Sequence, residues 1–182
     1  TPYSYQGLIG KRNVYASDMR WQLEIGNNEA SLLTFKSNIN GITGPILPVD
    51  EWEQVVVTYD GLTATMYRNG TPAVSGPVTL NDGFNATMML GAVGWDPALP
   101  TPTAILNGAL DDIAIFNYAL DPITVAYSYT DITGGTACVN PDDPVLQRYD
   151  LDGDCQVGLG DLVMLVEHWL TGQLVPDVIE RP

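Results

Sequence analysis

From Thr1 to about Leu120 the chain reads as short apolar and polar alternations broken by turn residues. EQVVVTYD (53–60) and TATMYRNGTPAV (63–74) are β-branched or aromatic runs. The Asn69-Gly70 pair between the halves of the second run suits the positive φ angles of a tight hairpin, so antiparallel pairing is expected. RWQLEIG (20–26), SLLTFKS (31–37), ATMMLGAV (86–93) and GALDDIAIFN (108–117) are further strand candidates, each bounded by Gly, Pro, Asn or Asp. Regular short strands of this kind predict a mainly β sandwich.

After Asp121 the alternation stops. YSYTDITGGTA carries a Gly-Gly pair that suits a flexible joint, so residues 126–137 are read as a linker between a β domain (1–125) and a small C-terminal module (138–182). In DLVMLVEHWL, Leu162, Leu165, Val166 and Trp169 recur at helical spacing, with Gly172 as a stop. That apolar face is expected to dock on something.

With 182 residues, the chain has room for one ordinary domain and a small appendage. Seven Lys and Arg against 22 Asp and Glu give a formal charge of −15. This opposes nucleic acid and anionic membrane and makes cations the natural counterpart. No apolar run approaches the roughly 20 residues that span a bilayer, so no membrane insertion is expected. Starting at Thr1 without Met or a signal peptide, the sequence is read as a processed or excerpted segment. Cys138 and Cys155 would, if bridged, close a loop contributing roughly 3 kcal/mol and imply an oxidising compartment. The alternative is two reduced, buried thiols.

DLDGDCQVGLGD (150–161) carries the densest chemistry: carboxylates at its first, third, fifth and twelfth positions. Such crowding is repulsive without a cation, and Ca²⁺ takes six to eight oxygens. The EF-hand spacing assigns Asp150, Asp152, Asp154 and Asp161 as carboxylate ligands and Gln156 as a carbonyl ligand, with Val157 packing inward. Cys155 stands where EF-hands usually have Gly, and Gly158 leaves the ninth position to water. A solvated acidic turn capping a helix is the bland alternative, but a cap needs one carboxylate rather than four.

DLDGDCQVGLGDLVMLVEHWL resembles the calcium-loop-helix half of a type I dockerin, in the version appended to secreted proteins of planctomycete-like bacteria. Family dockerins pair two such segments to bind cohesins. One is found here, which implies a structural or anchoring module.

EWEQVVVTYDGLTATMYRNGTPAVSG followed by NGALDDIAIFNYALD is similar to the second half of a laminin-G-like, concanavalin-type jelly roll. The likeness spans about residues 1–125. It implies a sandwich whose first third would precede GLIGKRN, so those strands are expected from an excerpted or cleaved upstream portion or from a neighbouring copy. Related jelly rolls include glucanases with a Glu-x-Asp-x-x-Glu strand, a motif not present in this sequence. Asp50, Glu51 and Glu53 are read as a solvated turn and His168 as a surface residue. With the Cys pair bridged, a zinc site has too few ligands.

Two further sites are candidates. Asp111 and Asp112, on a predicted strand, could hold a second structural Ca²⁺ or tie down a neighbouring loop. In the loop 91–103, Trp95 could stack on a sugar with Asp96 accepting hydroxyl hydrogen bonds, or could plug a core edge. Asn85-Ala86-Thr87 fits the N-glycosylation sequon. Together these readings predict a non-enzymatic bacterial module, secreted or on the cell surface, that binds a glycan or surface protein. The rival is a fibre subunit completed by neighbouring copies of itself.

Overall fold

The computed structural model describes residues 5–13, 19–26, 32–81, 86–96 and 101–171. Strands β1 (Gln6–Arg12), β2 (Met19–Ile25), β3 (Leu32–Lys36) and β4 (Gly41–Ile46) pair successively, and β8 (Met88–Leu90) joins the free side of β1. The second sheet is an antiparallel meander of β5 (Val55–Tyr59), β6 (Thr63–Arg68) and β7 (Thr71–Pro77). A small ribbon pairs β9 (Gly94–Asp96) with β10 (Thr101–Thr103). These strands are followed by α1 (Pro122–Thr133), α2 (Pro144–Tyr149) and α3 (Leu159–Thr171).

Period-two patterning explains the layers. On β2, Leu23 enters the core while Gln22 and Glu24 take the opposite face. Leu23, Leu33, Phe35 and Ile42 from the first sheet meet Ala64 and Met66 from the second, with Leu47 and Val78 completing the cluster. The predicted hairpin forms as expected: Asn69 has φ 50° and Gly70 φ 75°.

The outer face of the first sheet is not simply solvated. Arg12 Nη1 donates to Gln22 Oε1 at 2.7 Å, Gln22 Nε2 donates to Glu24 Oε2 at 2.5 Å, and Lys36 pairs with Glu24. The segment carrying Val93 lies over this face. A Cβ at Gly7 would meet Val93 Cγ1 at 2.2 Å, so the close approach requires glycine.

Two sequence expectations give way here. Residues 108–117 form no strand: Asp112 takes φ 50°, and no described residue pairs with the run. An extended segment needs a partner for its N–H and C=O groups, and without one it stays irregular. Residues 122–133, expected to lead into and form much of the joint, are a helix. Asp121 caps it by accepting from the N–H and hydroxyl of Thr124 at 2.9 and 2.7 Å, and Pro122 occupies the first turn. Gly134 ends it at φ 68°, donating to the carbonyl of Thr130. Val125 and Ala126 are buried, and Gly70 admits the helix: a Cβ there would stand 2.9 Å from Tyr129 Cβ and 3.2 Å from Ala126 Cα.

Candidate metal centre

The acidic loop hangs between α2 and α3. Asp143 caps α2 by accepting from Val145 N–H, and Asp150, at the other end of α2, donates its own N–H to the carbonyl of Leu146. From there the chain curls around the Asp150 carboxylate. Gly153 and Asp154 donate to its Oδ1 at 2.8 and 3.1 Å, and Cys155 donates to its Oδ2 at 2.9 Å. Asp154 N–H also reaches Asp152 Oδ1, and Gln156 N–H reaches Asp154 Oδ1. Positive φ at Gly153 (76°) and Cys155 (67°) makes the curl possible.

Three of the four carboxylates converge. Asp150, Asp152 and Asp154 each offer an oxygen, all lying within 4.8 Å of one another. Like charges this close repel one another. The Asp154 amide, the largest influence, pulls Asp152 downward, yet loss of water and the charges of Asp154, Asp161 and Asp150 lift its carboxyl above the usual range. A divalent cation would relieve that repulsion.

Asp161 is placed differently. Its Oδ2 accepts from Gly158 N–H at 2.6 Å, and its Oδ1 accepts from Leu151 and Asp152 at 2.6 and 3.3 Å. The Gly158 amide first, and then those of Leu151 and Asp152, hold its carboxyl below the ordinary value against desolvation. In this arrangement Asp161 ties the two ends of the loop together at the first turn of α3.

The donor set is all hard oxygen, and both cysteines are consumed in a Cys138–Cys155 disulfide with Cα atoms 5.4 Å apart. That chemistry fits Ca²⁺ or Mg²⁺ and not a thiolate-seeking metal. Sequence reasoning missed Gly160. A Cβ there would meet Asp152 Oδ2 at 2.1 Å, so the bare backbone of α3 is what lets that carboxylate sit where it does.

Other expected residues fall elsewhere. Val157, expected to pack inward, is half exposed. Leu162, Leu165, Val166 and Trp169, expected to dock, lie exposed along α3. Asp111 and Asp112 are exposed on a turn where Asp112 N–H donates to Asp111 Oδ1, and no third metal-binding side chain gathers with them among the described residues. Trp95 sits on β9 opposite Pro102, but the side chains of Trp95 and Asp96 lie outside the described residues, as do Asn85 of the sequon and Gly172. Glu53, read as part of a solvated turn, instead receives Arg68 Nε and Nη2 at 2.7 Å each. His168 Nδ1 lies 2.7 Å from the carbonyl of Met164.

The laminin-G family model of the Concanavalin A-like lectin/glucanases superfamily matches residues 5–126. No curated protein matches the chain. Among solved structures it is similar to an S-layer domain-containing protein (residues 221–444) from Clostridium thermocellum, at 24% identity and a TM-score of 0.38. The likeness covers 58% of this chain, which spans 54% of that one.

Proposed function

This chain belongs to the Concanavalin A-like lectin/glucanases superfamily, and from that premise we propose a non-catalytic extracellular binding module whose C-terminal loop and helix are stapled by calcium. The observation that carries the calcium reading is the convergence of Asp150, Asp152 and Asp154 within 4.8 Å. Their carboxylates, the carbonyl of Gln156 and, after a turn away from its backbone donors, Asp161 are the ligands assigned. The ion would supply charge neutralisation and a fixed exit direction for α3. The single dockerin-like segment is then a structural anchor.

A glycan or surface protein is the ligand class proposed, with Trp95 as its aromatic platform. Support for a non-catalytic role comes from the engaged carboxylates of the sandwich: buried Glu24 is held by Gln22 and Lys36, and half-buried Glu53 by Arg68. A disulfide suits a secreted or cell-surface location. No helix among the described residues is long and apolar enough to cross a membrane.

Limited proteolysis of the full chain tests the calcium reading. Calcium should slow cleavage within residues 138–171 relative to EDTA; equal digestion, together with no heat on calcium titration, would sink it. A second reading, a subunit completed by strands from a neighbouring copy, draws on one observation. Ile105, Leu110, Ile113, Ile115, Phe116 and Tyr118 all stand exposed around the unladdered run 108–117. A monomeric mass at micromolar concentration would dismiss it.

A further inference from the structure

We infer that the Cys138–Cys155 disulfide is a positioning element that sets the calcium affinity of the acidic loop, making the site responsive to redox state. This rests on the calcium reading above and adds to it a means of regulation.

The argument starts from Cys155. It occupies the sixth position of the loop at φ 67°, a left-handed conformation that glycine adopts freely and that Asn and Asp tolerate better than other side chains. Its N–H donates to Asp150 Oδ2 at 2.9 Å, so rotating Cys155 out of that conformation withdraws a donor that orients the first ligand. A free side chain at this position would relax toward negative φ, and metal binding would have to reverse the change.

The other end of the bridge is fixed to the sandwich. Cys138 N–H donates to Thr71 Oγ1 at 2.9 Å, on the first residue of β7. The preceding Ala137 packs at Gly70, where an added Cβ would stand only 2.6 Å from Ala137 Cβ. Cys155 is thereby tethered to the β6–β7 hairpin, and the closed bridge holds its left-handed turn. Calcium then meets a loop already curled. Reduction by dithiothreitol proceeds by two thiol–disulfide exchanges: two electrons and two protons pass to Cys138 and Cys155, the S–S bond breaks, and cyclic oxidised dithiothreitol leaves.

Calcium calorimetry on the full chain tests this with three proteins: the oxidised wild type, Cys138→Ser/Cys155→Ser, and Cys138→Ser/Cys155→Gly. The serine pair should bind about tenfold more weakly, the cost of a left-handed non-glycine residue expressed as affinity. The glycine variant should recover most of that loss, a rescue that a merely structural bridge would not produce. Wild type reduced with dithiothreitol should match the serine pair, which keeps the test valid if that variant folds poorly. Equal affinity of serine pair, reduced and oxidised proteins overturns the inference and leaves the calcium reading standing. A glycine variant as weak as the serine pair also overturns it. No binding by the oxidised wild type at millimolar calcium overturns the calcium reading itself, and the inference with it.

Discussion

Replacing Gly160 with Ala should separate the stability of α3 from the metal affinity of the loop that precedes it. Gly160 lies in the first turn of α3, with no positive φ to forbid a side chain. On propensity alone the substitution favours the helix by up to about 1 kcal/mol. The new Cβ would stand 2.1 Å from Asp152 Oδ2 and 3.3 Å from its Cγ, whereas ordinary contact begins at 3.4 Å. The carboxylate is the free end of a side chain, so it retreats by about 1 Å at little cost to the fold. Metal–ligand distances tolerate only about 0.2 Å, so Asp152 is carried out of the cluster it forms with Asp150 and Asp154. Mutation of a group that positions a ligand typically costs about 10–100-fold in metal affinity, and Gly160 is such a group for Asp152. Calorimetry with calcium reads the affinity, and thermal unfolding in EDTA reads the metal-free stability. The expected pair of results is a weaker Kd with an unchanged or slightly raised Tm in EDTA. A Kd equal to wild type would refute the reasoning, because Asp152 would then have no part in the site.

Two further predictions concern the sandwich. Glu53→Gln should destabilise it by about 1–2 kcal/mol at neutral pH, after discounting for water that reaches Arg68. The hydrogen bonds from Arg68 hold the Glu53 carboxyl below its usual value, so its contribution is present above the unfolded pKa of about 4.3 and is lost as pH falls through the lower folded pKa. The gap between the urea midpoints of the two proteins should therefore narrow as pH falls below about 4; a gap that stays constant or widens on acidification contradicts the ion-pair account. Met66→Ala, at a side chain with 0% exposure in the middle of β6, should cost about 2–5 kcal/mol by urea denaturation. Leu62→Ala, 78% exposed, should stay within about 0.5 kcal/mol, and similar losses at both positions would mean the core is misassigned.

Much of this molecule is written in local pattern. The alternations at 20–26, 31–37 and 53–60 became β2, β3 and β5, and Asn69-Gly70 became the turn between β6 and β7. Local pattern fails where distant residues decide. Residues 108–117 have strand composition but no ladder partner among the described residues. The helix over 122–133 was hidden by Ile, Val and Thr, whose weak helix preference is overcome by the Asp121 and Pro122 start, the Gly134 stop and burial on Gly70. Glu53 meets Arg68 across the β5–β6 hairpin, a pairing invisible in the acidic cluster around it. Within the loop, the carboxylate spacing was legible, but the service of Gly160 to Asp152 was not, because it depends on the helix turning back onto the loop.

The bridge from Cys155 to Cys138 also determines how the molecule carries mechanical load. A pull on α3 reaches Cys155, crosses the two sulfur atoms to Cys138, and continues into α1 and the β6–β7 hairpin. Residues 139–154 lie on the bypassed branch. The covalent load path therefore bypasses α2 and Asp150, Asp152 and Asp154, while Asp161 stays on the loaded side and reaches that branch only through hydrogen bonds from Leu151 and Asp152. A pull from the C-terminal end would stretch the helix and hairpin first, with those three carboxylates spared the covalent load inside a closed loop.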